Sequence, residues 1–85
     1  MTKSLHSEGH NSLIQALVEA RKAKGLSQAA LAGLLKCHQS FVARIESGQR
    51  RIDVPELVIL ARALDANPTD ILMLVEKSTP ADARI

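Results

Sequence analysis

The chain has 85 residues, 46% hydrophobic and 24% charged, with a net charge of +2, which fits one globular domain and excludes a disordered chain. Its single cysteine excludes an internal disulfide, and no apolar run reaches the roughly 20 residues of a membrane span. Because the N-terminus lacks the apolar core of a signal peptide, we expect a cytoplasmic location.

The first half of the chain is predicted to form three short helices behind a flexible tail. Residues 1–10 are polar and lack periodicity, which is typical of such a tail. Apolar residues recur at helical spacing over residues 11–24, and Gly25 is predicted to end this helix in a left-handed cap. Ser27 is a typical N-cap for a second helix, and a third is predicted over residues 39–47, with Gly48 ending it. The apolar positions of these helices are Leu13, Ile14, Leu17, Val18, Leu31, Leu34, Leu35, Val42 and Ile45.

The second half is predicted to add two helices. Asp53 is a typical N-cap for the fourth helix, and Asn67 followed by proline predicts the start of the fifth. Five short helices with short links predict a compact all-α domain over residues 11–76, followed by a C-terminal tail over residues 77–85. The apolar positions of these two helices are Leu57, Leu60, Ala61, Leu64, Ile71, Leu72, Leu74 and Val75.

Helices two and three have the pattern of a helix-turn-helix unit. Their link has only three residues, and Ala32 lies where a small side chain allows the two helices to approach closely. Cys37 in the link is interpreted as a thiol that fills the turn, and the alternative is a redox sensor. In such a unit the second helix is exposed and enters the major groove of DNA.

The charge distribution and the third helix both indicate a nucleic-acid partner. Residues 21–51 contain seven basic residues and one acidic residue, a net +6, whereas the rest of the chain has four basic and eight acidic residues, a net −4. For charge alone, the alternative is a solvated basic face. On the third helix, Gln39 can pair with adenine and Arg44 with guanine, while Ser40 can bond to several bases. Phe41 either contacts a sugar or thymine methyl group or closes the edge between helices two and three.

The stretch KGLSQAALAGLLKCHQSFVARIESGQRRIDVPELVILARALDANPTDIL resembles the Cro and phage-repressor family, also called the xenobiotic-response-element family. Its most specific pieces are GLSQ, the Leu31-Ala32 pair and IESG followed by basic residues, and the likeness covers residues 11–75. The resemblance implies a five-helix lambda-repressor-like domain. It also implies a sequence-specific regulator of transcription, acting as a repressor or autoregulator, that binds double-stranded DNA.

The resemblance also implies roles for matching residues. Gln28 would hold a phosphate and brace the recognition helix, and Gln39, Ser40 and Arg44 would read bases, with His38 at the margin. The loop after the third helix would grip the DNA backbone, and Arg21 and Glu46 would form an ion pair rather than separate surface charges. The candidate DNA-binding residues are Ser27, Gln28, Lys36, His38, Gln39, Ser40, Phe41, Arg44, Arg50 and Arg51.

Four residues depart from the family pattern, namely Gly33, Lys36, Cys37 and Ala43, and two of them bear on the stability of the second helix. Lys36 occupies a turn position where glycine is common, and a left-handed conformation there would cost about 1 kcal/mol relative to glycine. A lysine at this position can still reach a phosphate. Gly33 lies inside the second helix, where it is expected to cost about 0.5–1 kcal/mol.

No pattern of an enzyme, a cofactor site or a metal site is found, since the glycines are scattered and His6, His10 and His38 do not have the spacing of a metal set. We expect a homodimer on a near-palindromic operator, because one such domain contacts only a half-site. The alternative is a protein-interaction module, or an antitoxin-type regulator that also binds a partner protein.

The fifth helix is the predicted dimer surface, because an unbroken apolar run over residues 71–75 exceeds what one buried face requires. The alternative is that Ile71, Leu74 and Val75 cover the core while Leu72 and Met73 are ordinary exposed residues.

Overall fold

A computed structural model describes residues 7–85 of the chain. These residues form five α-helices and no strand, so the all-α prediction is confirmed. No helix in this range has the length and apolar character needed to cross a membrane. The helices are α1 (Glu8–Ala23), α2 (Gln28–Leu35), α3 (Gln39–Glu46), α4 (Val54–Ala63) and α5 (Pro68–Ser78).

Three predicted helix starts are confirmed by side-chain caps. The Ser27 hydroxyl accepts the backbone N–H of Ala30 at 3.0 Å, and the Asn67 side chain accepts that of Thr69 at 2.8 Å. At the start of α4, Asp53 and Glu56 form a capping box, in which each side chain accepts the other's backbone N–H. These contacts satisfy amides that have no partner inside the helix.

Helix α1 begins three residues before the predicted start at residue 11, so the expectation of a tail through residue 10 is wrong for its last residues. The Ser7 hydroxyl accepts the backbone N–H of His10 at 3.1 Å, which caps the helix. Gly9 and His10 are both buried, and a β-carbon on Gly9 would collide with the Thr79 side chain beyond the end of α5. The rest of the predicted tail, residues 1–6, lies outside the described part. Helix α5 likewise continues to Ser78, two residues past the predicted domain boundary.

Left-handed residues follow four helices and allow the short connections. Gly25 has φ +77° and Gly48 has φ +82°, as their predicted roles at helix ends require. Lys36 adopts φ +58° and Asp65 φ +54°, a region that disfavours residues with a β-carbon. Lys36 therefore has the left-handed conformation whose cost relative to glycine was expected from the sequence.

A single core joins all five helices. Helix α1 packs on α5 and α3, while α2 packs on α3 and α4. Three predicted apolar positions are exposed: Leu34, Leu72 and Leu74 have exposed fractions of 55%, 57% and 48% because they lie on outward helix faces. The buried apolar side chains are Leu13, Leu17, Leu31, Ala32, Val42, Ile45, Leu57, Leu60, Ala61, Leu64 and Ile71.

Candidate nucleic-acid interface

Helices α2 and α3 form one packed unit joined by a three-residue link. Leu31 and Ala32 of α2 are buried, and so are Val42 and Ile45 of α3. Cys37 in the link is half-buried against this core, and its backbone N–H donates to the Ala32 carbonyl at 3.0 Å. This arrangement accords with a thiol that fills the turn.

Helix α3 has one buried side and one exposed polar side. Val42 and Ile45 are 1% and 3% exposed, so they anchor the helix in the core. Gln39, Ser40 and Arg44 are exposed, as the sequence pattern predicted. His38, the N-cap residue of α3, is exposed beside them and makes no side-chain capping bond. This side offers hydrogen-bonding side chains in a row on a rigid element.

The side chain of Gln28 connects the start of α2 to both ends of α3. Its Oε1 accepts a hydrogen bond from Nε2 of Gln39 at 2.7 Å, and its Nε2 donates to Oε1 of Glu46 at 2.9 Å. These two bonds fix the orientation of the Gln28 amide and hold that of Gln39. The bracing role implied for Gln28 therefore has a direct geometric basis, although spacing alone did not reveal the two bonds.

The implied ion pair between Arg21 and Glu46 is confirmed. Arg21 Nε donates to Glu46 Oε2 at 2.7 Å and Nη2 to Oε1 at 2.9 Å, and each side chain is only 10% exposed. Arg21 Nη1 also donates to the Leu26 carbonyl at 2.8 Å. Burial by itself raises the pKa of Glu46, but the hydrogen bonds from Arg21 and Gln28 outweigh it and hold this pKa below its ordinary value. The pair joins α1 to the end of α3.

The loop between α3 and α4 was expected to grip the DNA backbone with Arg50 and Arg51, but the two arginines have different surroundings. Arg50 Nη1 and Nη2 donate to the two carboxylate oxygens of Glu56 at 2.9 and 2.8 Å. The Arg50 guanidinium carbon lies 4.5 Å from the ring centroid of Phe41. Arg51 is exposed and forms no ion pair with any residue from 7 to 85.

Phe41 and Glu56 connect this loop to the adjoining helices. Phe41 is half-buried and packs against the core, which favours the alternative in which it closes the edge between α2 and α3. The hydrogen bond from Arg50, together with that from the Asp53 backbone, lowers the pKa of Glu56. Sequence reasoning missed Glu56 as the partner of Arg50, and the Asp-x-x-Glu pattern of a capping box is the signal that could have drawn attention to it.

The remaining candidate residues lie around this unit. Ser27 is exposed at the start of α2, and Lys36 is exposed at its end. In the part of the chain that the structure describes, no three histidine, cysteine, aspartate or glutamate side chains group as metal ligands would.

Comparison with known proteins assigns this arrangement to a family. A helix-turn-helix family model matches residues 17–71, well over half of the chain. The protein belongs to the XRE-like helix-turn-helix family. Members of this family are DNA-binding transcriptional regulators rather than enzymes, and membership implies binding to double-stranded DNA. A search of the curated proteins finds no match.

Solved structures show the same relationship. An XRE-family like protein from Pseudomonas syringae pv. tomato str. DC3000 is 38% identical, with a TM-score of 0.77, covering 85% of this chain and 88% of its own. The restriction-modification controller protein C.AhdI from Aeromonas hydrophila is 40% identical, with a TM-score of 0.66, covering 73% and 90%. The clp gene regulator ClgR from C. glutamicum, 24% identical with a TM-score of 0.73 over 85% and 92%, shares the fold.

Proposed function

We propose that this protein is a repressor or autoregulator that binds a near-palindromic operator in the cytoplasm as a homodimer, with α3 in the major groove. The observation that carries the proposal is the two-sided character of α3. Its buried Val42 and Ile45 hold the helix rigidly, while Gln39, Ser40 and Arg44 remain exposed. Hydrogen-bonding side chains on a rigid exposed helix are what base reading in the major groove requires.

The base contacts follow from the side-chain chemistry. Gln39 pairs with an adenine edge and Arg44 with a guanine edge, while Ser40 donates to or accepts from either. Because Gln28 accepts one N–H of the Gln39 amide, the orientation of that amide is defined, and its oxygen and second N–H remain available to a base edge. This orientation lowers the conformational entropy lost when the base pair is contacted.

The proposed phosphate contacts lie on both sides of α3 in the sequence. The backbone amides at the start of α2, next to Ser27 and Gln28, suit a phosphate because a helix N-terminus carries partial positive charge. Lys36 and Arg51 are exposed cations on either side of the recognition helix in sequence, and His38 lies at its margin. Contacts of this kind set the register of a protein on DNA without reading its sequence.

The dimer is proposed to form through α5. Leu72, Met73 and Leu74 are 57%, 51% and 48% exposed, so this helix presents three adjacent large apolar side chains to solvent. A two-fold contact through this face would cover them and place two recognition helices about 34 Å apart, one turn of DNA. The same exposed face favours the alternative function, in which the regulator also binds a partner protein there.

The deciding experiment is selection of bound sequences from a pool of random duplexes with the full chain, followed by affinity measurements on the selected operator. Changing Gln39 or Arg44 to alanine is expected to cost roughly 1–3 kcal/mol on the operator, with much smaller losses on random DNA. Arg62→Ala, at an exposed arginine in the last turn of α4, is the control for charge. Equal losses on operator and random DNA would contradict base reading, and a two-half-site consensus would support the dimer.

A further inference from the structure

The two neighbouring arginines of the α3–α4 loop differ in how much of their charge is available to a phosphate. Arg50 uses three of its five N–H groups: two bind the Glu56 carboxylate, and one donates to the Arg51 carbonyl at 2.6 Å. One face of its guanidinium lies over the Phe41 ring. The Arg51 side chain is exposed and makes none of these contacts, since only its backbone carbonyl takes part.

Glu56 is a fixed partner for Arg50 rather than a mobile surface acid. Its Oε1 also accepts the backbone N–H of Asp53 at 3.0 Å, and its own N–H donates to the Asp53 side chain at 2.8 Å. The capping box therefore holds the carboxylate at the first turn of α4 by contacts that do not involve Arg50. A paired carboxylate neutralises the guanidinium and fills its fork, the same geometry that a phosphate would occupy.

The other contacts of Arg50 link the loop to the recognition helix. Phe41 lies on α3 beside the exposed Ser40, and the backbone N–H groups of Gln49 and Arg50 donate to the Arg44 carbonyl at 2.9 and 3.2 Å. Arg50 thus connects α3, the loop backbone and the start of α4. This connection sets the position of the adjacent Arg51 relative to the exposed polar side of α3.

We propose that Arg50 is a positioning residue that holds this loop against Phe41 and Glu56, and that Arg51 is the cation of the loop that binds a DNA phosphate. The proposal rests on the proposed binding of operator DNA through α3. It replaces the expectation that both arginines grip the backbone.

The test measures operator affinity as a function of salt for the full chain and its variants. Each phosphate contact contributes about 0.9 to the slope of log affinity against log salt. Arg51→Met is expected to reduce the slope by about 0.9 for each bound protomer. The double variant Arg50→Met/Glu56→Gln keeps the net charge and is expected to leave the slope unchanged. Its operator affinity is expected to fall roughly twofold to fivefold, the size of a partly exposed ion pair and cation–π contact.

The direction of the change in operator affinity in Glu56→Gln alone distinguishes a positioning role of Arg50 from a phosphate-binding role. Glutamine can retain the capping box, so the start of α4 is preserved. If Arg50 positions the loop, this variant binds the operator more weakly even though it has lost a negative charge. If Arg50 is a phosphate ligand, its release from Glu56 makes binding tighter.

Two controls separate these effects from loss of the fold and from failure of the proposed function. Helical circular dichroism at the binding temperature checks each variant, and Arg62→Met removes a positive charge on α4 outside the loop and is expected to leave the slope unchanged. Four outcomes would overturn the proposal. Two concern the double variant: a flattened salt slope, or an unchanged operator affinity while it is folded. The others are tighter operator binding by Glu56→Gln and an unchanged salt slope in Arg51→Met. Salt-insensitive or absent binding by the unaltered chain would instead reject the proposed function and this proposal with it.

Discussion

The outer faces of α3 and α5 are both exposed, but their chemistry is opposite. The face of α3 presents Gln39, Ser40 and Arg44, whereas that of α5 presents Leu72 and its two successors, Met73 and Leu74. Water can hydrogen-bond to the polar groups of α3, so this face is stable in the unbound protein. Water does not compensate the apolar side chains of α5, so this face gains free energy when another apolar surface covers it.

In the proposed function, DNA reading and association are therefore properties of different helices. Each helix is anchored by its own buried side chains, Val42 and Ile45 in α3 and Ile71 in α5. A substitution on either outer face is therefore expected to change one property without unfolding the domain. The largest expected effect is on the α5 face, because loss of the proposed dimer would remove half of the DNA contacts at once.

Leu72→Glu is expected to convert the protein to a monomer, because a carboxylate in the proposed two-fold contact would be buried without a partner. Operator affinity is expected to fall by roughly 10²–10⁴-fold, the gain that linking two half-site binders provides. Sedimentation and operator titration measure the two effects. Ile59→Glu, at a 54% exposed isoleucine of α4, is the matched control and is expected to remain dimeric. Wild-type mass and affinity for Leu72→Glu would locate the contact elsewhere.

The second prediction concerns the Arg21–Glu46 ion pair, which joins the end of α3 to α1. Arg21→Met is expected to destabilise the domain by about 3 kcal/mol, because it leaves the mostly buried Glu46 carboxylate without its cation. Glu46→Gln and the double variant complete a double-mutant cycle, measured by urea unfolding. The double variant is expected to be more stable than the sum of the single losses predicts. Small additive losses would mean that the pair contributes little to holding α3.

The same pair gives the stability a defined dependence on pH. The pKa of Glu46 is lowered in the folded chain, so its ionised form stabilises the fold at pH values above its unfolded pKa of about 4.3. This contribution is lost as the pH falls through the folded pKa. Glu46→Gln is therefore expected to show a smaller loss of stability than the wild type between neutral and acid pH. Glu56, whose pKa is also lowered, retains its own contribution in that variant.

The smallest predicted effects concern α2, where two of the departures from the family pattern, Gly33 and Lys36, can be reversed. Gly33→Ala is expected to raise stability by about 0.5–1 kcal/mol, because nothing lies within 4 Å of the added β-carbon. Lys36→Gly is expected to raise it by a similar amount, since the residue has φ +58°. Lys36→Gly alone is also expected to weaken binding to operator and random DNA about equally. Thermal melts and DNA titrations of the two variants check both effects, and a loss of stability in either would contradict this account.

The features that could be predicted from the sequence are those governed by near neighbours. Ser27, Asp53 and Asn67 were identified as caps because a short polar side chain bonds to amides two or three residues away. Gly25 and Gly48 were identified as helix ends for a similarly local reason. The buried positions of α3 and the exposure of Gln39, Ser40 and Arg44 followed from helical periodicity, which is also local.

The features that only the tertiary structure decided depend on residues far apart in sequence or on competition between partners. Gly9 looked like part of a tail, yet it is buried because α1 packs against the end of α5, about 70 residues away. Arg50 looked equivalent to Arg51, since composition does not reveal which of two adjacent cations folds back on Glu56. Local bonding therefore determined where the helices begin and end. Packing determined which charged groups are used within the fold and which remain available at its surface.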